Sequence, residues 1–161
     1  MVTWKEFAEA DPKLAEIGAG LLFQFGVGLA FLATIRKDGG PRLHPFCPVL
    51  SEEHLYGLIQ AESPKKSDLL RDGRYAMQAF PPPREESEEF YLRGEARLIE
   101  DAEMRRAVLA DAKHVAHESE VLFEFLIDRA MHTTWENWGT PEIQPVHAIW
   151  KAKEGYRALT F

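Results

Sequence analysis

The chain has a single cysteine, Cys47, among its 161 residues. An intrachain disulfide is therefore impossible, and a chain of this length can bury a core without one. Long apolar runs are missing too, and none approaches the roughly 18 residues of a membrane-crossing helix. Positive charge is short: 19 Lys and Arg stand against 26 Asp and Glu, a net charge of -7. Such a surface repels phosphate backbones and argues against general nucleic-acid binding, while leaving room for a local basic pocket for one phosphate group. The first residues, "MVTWKEFAEADPK", carry acidic side chains and no apolar core, so no secretory leader is expected. The expectation is a soluble cytoplasmic protein without membrane contact. With no internal repeat and no flexible linker, one domain over residues 1–161 is expected.

What is present reads as short strands. Thr3 and Glu6 have capping-box spacing at the start of a first helix. Asp11 before Pro12 starts a second, running to about Phe23. These form an N-terminal helical extension over residues 1–27. From Leu29, "LAFLATIRKDGGPRLHPFCPVL" reads as a hairpin turning at Asp38, Gly39 and Gly40. Phe31, Ala33 and Ile35 share one face of its first strand; Arg42, His44 and Phe46 share one face of its second. Pro45 and Pro48 mark that strand as an edge or as interrupted. "HLYGLIQ", "RYAMQAF" and "FYLRGEARLIE" are further strands, the last bulged or bent at Gly94. "SPKKSDLLRDG" is a loop with a short helix. Asp101 caps another helix, expected to reach His114 to His117. "VLFEFLIDRAMHTTW" reads as a helix end feeding a strand, and "VHAIWKA" as a last strand. The pattern is mainly β with peripheral helices, a small antiparallel barrel.

Three segments in order carry a stronger signal: "LATIRKDGGPRLHPFCPV", "LYGLIQAESPKKSDLLRDGRYAM" and "FYLRGEARLIED". Together they resemble the flavin-binding split β-barrel family related to pyridoxamine phosphate oxidase, from about Leu29 to Asp101. A weaker echo follows in "RAMHTTWENW" and "VHAIWKA". The resemblance implies a six-stranded antiparallel split β-barrel and a homodimer binding flavin mononucleotide (FMN) at the subunit interface. It implies that a Ser-x-Lys segment, here Ser63 and Lys65, meets the flavin phosphate. Pro64 stands where the oxidases have an arginine, and Lys66 can replace the contact so removed. Arg42 best matches the family's basic residue on the preceding strand, with His44 next on its face. The ring would lie along "HPFCP", which includes Pro45, and at Ile59 and Gln60, with Gln60 bonding its polar edge or the ribityl chain. Trp135 or Trp138 would stack from the partner subunit.

The chemistry of these residues agrees with that assignment. A phosphate dianion needs charge-assisted donors. Ser63 offers a hydroxyl, Lys65 and Lys66 ammonium groups, Arg42 a guanidinium, and the helix start free amides. Taken alone, the lysines are ordinary surface residues, and Arg42 fits a surface ion pair equally well. The arginine-rich C-terminal substrate motif of the oxidases is missing from "VHAIWKAKEGYRALTF", so pyridoxamine phosphate is not the expected substrate.

The function expected is a flavin-dependent oxidoreductase acting on an unidentified small molecule, with no catalytic side chain named. The alternatives are a non-enzymatic flavin sensor or store, or the same fold using a deazaflavin or haem, for which His44, His132 and His147 are available. His114, His117 and Glu118 lack a companion motif, and no metal is expected. Cys47 reads as a buried inert thiol, and Trp135, Trp138 and Trp150 as core or interface residues. Glu85, Glu86, Glu88 and Glu89 read as a solvated loop. Arg93 is expected to point outward or to pair across the interface.

Overall fold

Thr3 and Glu6 cap each other: the Thr3 amide donates to the Glu6 carboxylate at 2.7 Å, and the Glu6 amide donates to the Thr3 hydroxyl. Helix α1 (Trp4–Ala10) starts there, and the Asp11 carboxylate caps α2 (Pro12–Leu22) through the Leu14 amide. Both helices press Trp4, Phe7, Leu14, Leu21 and Leu22 into the main core. This computed structural model describes residues 1–83, 88–114, 116–117 and 119–152. Glu85 and Glu86 of the expected loop, Glu118 beside the two histidines, and the C-terminal segment after Ala152 lie outside the described residues.

Eight strands follow: β1 (Ala30–Ile35), β2 (Pro41–Phe46), β3 (Pro48–Ser51), β4 (His54–Gln60), β5 (Arg74–Ala79), β6 (Glu89–Ile99), β7 (Glu120–Glu136) and β8 (Gln144–Lys151). Helix α3 (Pro64–Arg71) lies between β4 and β5, and α4 (Ala102–Asp111) between β6 and β7. All pairings are antiparallel, in the order β2-β1-β5-β6-β7-β4-β3, with β8 added along β7. Only Cys47 separates β2, which pairs β1, from β3, which pairs β4. Taken as one bent strand, β2 and β3 close a ring of six strands, and β8 is the addition. The break falls between Pro45 and Pro48, where the missing amides weaken the ladder.

The expected helix end near Val121 is a strand instead. β7 is strand from Glu120 onward, pairing β4 at one end, β6 through its middle and β8 at the other. Its "VLFEFLI" run is apolar without a clear period because both faces are covered: Phe123, Phe125 and Ile127 join the main core, and Leu122 joins the cluster under α4. Helix α4 also stops at Asp111, short of His114. The Asp111 carboxylate accepts the Ser51 hydroxyl at 2.6 Å and ties that helix end to β3. The bend at Gly94 is present as a register shift between Arg93 and Gly94. A Cβ at Gly94 would overlap the Leu126 carbonyl oxygen, so the β6–β7 approach requires glycine.

The main core fills the barrel with Leu32, Phe46, Leu55, Met77, Phe90, Leu92, Phe123, Phe125 and Ile127. A smaller cluster, Val49, Tyr56, Leu58, Val108 and Leu122, lies under α4. No helix among the described residues is long and apolar enough to cross a membrane.

Candidate functional site

Alternation along β2 puts Arg42, His44 and Phe46 on the inward face, while Pro41, Leu43 and Pro45 are exposed. Phe46 is 5% exposed and packs edge-on against Phe125. Its ring fits because Gly57 on β4 has no side chain; a Cβ there would overlap the ring. The Lys65 ammonium lies over the Phe46 ring, 5.6 Å from its centroid, within cation–π range. A residue of α3 thus meets the inner face of β2.

Asp68 locks that meeting. Its carboxylate, 4% exposed, accepts from Arg42 Nε at 2.6 Å, from Thr34 Oγ1 at 3.0 Å and from an Arg71 guanidinium nitrogen at 3.3 Å. Burial pushes the Asp68 carboxyl upward, but the donors from Arg42, Thr34 and Arg71 outweigh it and hold the group below the usual aspartate range. Arg71 also donates to the Ile35 carbonyl, closing α3 onto the end of β1. Arg42 is therefore held by an ion pair within the chain, and its Nε edge is committed to Asp68.

His44 sits between these groups. Its Nε2 is buried and has no hydrogen-bond partner among the described residues. Burial, then the Lys65 and Arg42 charges, push its pKa down, so the ring is neutral at pH 7. Lys65 is half-buried with no ion pair among the described residues, and burial lowers its pKa, opposed by Cys47 and Glu120. Glu120, at the start of β7 and paired in register with Gln60, is 9% exposed, and its Oε2 has no partner among the described residues. Cys47 is partly buried rather than fully buried; burial raises its pKa and Lys65 opposes the rise. The thiol is thus largely protonated near neutrality.

Ser63 is the N-cap of α3, and its hydroxyl makes no capping bond. Its amide donates to the Gln60 carbonyl at 2.9 Å, and its carbonyl accepts from the Lys66 amide at 3.0 Å. This tight turn sets Ser63, Lys65 and Lys66 at the end of β4, and Lys66 is half-buried there. Gln60 is exposed, but Ile59, backbone included, is 2% exposed, and its side chain lies in the main core. Pro45 lies on the outward face of β2, opposite Phe31. The structure therefore brings Arg42, His44 and Lys65 together, with Ser63 and Lys66 beside Lys65 at the start of α3 and Gln60 at the end of β4.

Trp135 does not join them within one chain. It pairs with Pro145 at the far end of β7, which spans roughly 50 Å from Glu120 if extended. Its ring meets Trp138 edge-on at 6.4 Å, and its Nε1 is buried without a partner among the described residues. His132 Nε2 lies 3.1 Å from a Glu88 carboxylate oxygen, and the His147 ring contacts the Thr133 hydroxyl at 3.0 Å. Arg93 pairs with Asp128 of its own chain at 3.2 Å. Among the described residues, no group of three or more His, Cys, Asp or Glu side chains is placed to hold a metal.

Asp68, Gly57 and Glu120 belong to this site without having stood out in the sequence, whereas Phe46 was already placed on the face of Arg42 and His44. For Asp68 a signal existed: it lies three residues after Lys65, on the same side of a short helix. Outside the barrel, Phe31, Ala33, Leu43, Ala76 and Tyr91 line a shallow apolar cleft of about 210 Å³, with Leu43 64% exposed.

No family model matches the chain, and no curated protein matches it. Solved structures do. A haem-binding protein from Mycobacterium smegmatis is 15% identical over 80% of this chain, with a TM-score of 0.57; the match spans only 56% of that protein. A NimC/NimA family protein from Clostridium acetobutylicum is 16% identical, covering 91% of this chain and 95% of its own, at a TM-score of 0.55. A Listeria innocua protein provisionally assigned as a pyridoxamine 5'-phosphate oxidase is 19% identical, covering 73% and 94%, at 0.56. At these identities the likeness shows the fold.

Proposed function

On the split β-barrel fold of the pyridoxamine phosphate oxidase-like proteins, which this chain has, we propose that residues 1–161 form one FMN-binding domain. It acts in the cytoplasm as a flavin-dependent oxidoreductase on a small molecule. The observation that carries this reading is a set of polar groups that lack partners among the described residues. These are the Ser63 hydroxyl, the half-buried Lys65 ammonium without an ion pair among the described residues, and the buried His44 Nε2. Half-buried cations and orphaned polar atoms are unfavourable unless a ligand of opposite charge completes them. A phosphate monoester suits them, with Lys66 and the remaining edge of Arg42 as further donors. When bound, the flavin would supply hydride or electron transfer at its ring. This chain's residues would anchor the phosphate, while Gln60 and Pro45 would border the ring. The exposed apolar cleft around Phe31, Leu43 and Tyr91 is the face we assign to a second copy, and Trp135 would reach a flavin only from that copy.

The test is the absorbance spectrum of the purified protein, then titration with FMN and riboflavin. Lys65→Ala is expected to weaken FMN about 10- to 100-fold, the value of one charge-assisted hydrogen bond, and to leave riboflavin unchanged. Equal FMN affinity in that variant would remove Lys65 from the site. A second reading, haem, is favoured by one observation: His44 Nε2 has no partner among the described residues, whereas His132 and His147 are engaged. A haem spectrum on reconstitution that disappears in His44→Ala would select it.

A further inference from the structure

We propose that His44 takes up a proton when the phosphate group binds, so that the site selects phosphorylated ligands and holds them more tightly as the pH falls. This rests on the phosphate-binding reading above and deepens it. The inference comes from where His44 sits. Its Nε2 is buried and has no partner among the described residues. It lies on the inward face of β2 with Arg42 on one side and Phe46 on the other, and Phe46 carries the Lys65 ammonium.

The charged groups around the ring are Arg42 on β2, Arg36 at the end of β1, and Lys65 and Asp68 on α3. On β1 the residue directly opposite is Leu32, which carries no charge. Three cations thus face His44 against one carboxylate, and that carboxylate is already bonded to Arg42. An added proton would bring a fourth positive charge into a partly desolvated cluster, so the free protein keeps the ring neutral. A phosphate group carries about -1.5 to -2 charges at pH 7. Bound beside Ser63 and Lys65, it offsets most of the net positive charge around His44. The imidazolium then gains a partner for the Nε2 proton, and its pKa rises.

The linkage has a definite sign. A group whose pKa rises on binding adds affinity below its bound-state pKa, and that affinity is lost as the pH rises through it. For one proton the dissociation constant increases by up to about tenfold per pH unit across that window.

The experiment is calorimetric titration of the full chain with FMN at about pH 7.5, where the ligand's own phosphate is mostly dianionic, in three buffers of different ionisation enthalpy. The expected result is uptake of more than about half a proton, taken from the slope of heat against buffer enthalpy. His44→Gln is expected to bind FMN with no uptake and a flat pH profile, and riboflavin to show no uptake with the native chain. His44→Asn serves where the glutamine variant does not fold. No uptake by the native chain overturns the inference, as does uptake that persists in both variants, which would assign the proton to Lys65. FMN binding without uptake leaves the flavin reading standing; no FMN binding at any pH removes that reading and the inference with it.

Discussion

Asp68 does more at the residue scale than any residue picked out from the sequence. It receives bonds from β1, β2 and its own helix, and it is nearly inaccessible to water. Removing its charge leaves Arg42 without a partner and loosens α3 from the barrel. Asp68→Asn is expected to lower stability by about 3 kcal/mol at pH 7, as for other broken buried pairs, measured by urea unfolding. Because its folded-state pKa is depressed, its contribution is present above the unfolded value near 3.9 and fades as the pH falls further. The gap between variant and native chain should therefore narrow below about pH 4. A gap that stays constant with pH would mean the side chain acts through shape alone. Arg42 shows the matching limit of sequence reading. Its face was legible from alternation, but its partner was not, because Asp68 lies 26 positions along the chain.

At the element scale, the site depends on how α3 and β2 meet over Phe46. Gly57 allows that ring to lie against β4, and Lys65 rests on it. Gly57→Ala would force Phe46 outward into the space of Lys65. The expected loss is about 1–3 kcal/mol, the usual range for overpacking, together with weaker FMN binding in the same variant. Unchanged FMN affinity in a destabilised Gly57→Ala protein would separate the Phe46 shelf from the phosphate site. The hairpin turn at Asp38 to Gly40 and the caps at Thr3 and Asp11 could be read because they are set by neighbouring residues. The strand character of residues 121–127 could not, because an apolar run buried on both faces has no period to read.

On the scale of the whole molecule, the outer sheet face leaves Leu43 exposed beside Phe31, Ala33 and Tyr91. Phe31 stacks on Phe80 with 4.3 Å between ring centroids, giving the face a rigid aromatic border. If a second copy covers it, Leu43→Glu places a charge in that contact. The expected outcome by light scattering is a dimer for the native chain and a monomer for the variant, with FMN affinity reduced at the same time. A native monomer that binds FMN at full strength would show that one chain completes the site.

Local features were legible in the sequence: two capped helices, a hairpin, a strand marked by Pro45 and Pro48 as an edge or as interrupted, and Arg42, His44 and Phe46 on one face. Each depends on backbone preference and on residues a few positions apart. The sequence also carried the resemblance that implies a phosphate contact at Ser63 and Lys65. Only the tertiary structure decided that β2 and β3 close the ring around a single residue, and that α3 folds back so that Asp68 engages Arg42. It alone buried His44 Nε2 with no partner among the described residues and carried Trp135 to the far end of β7. These outcomes depend on which distant segments bury one another, and that burial is a property of the closed barrel rather than of any stretch of sequence.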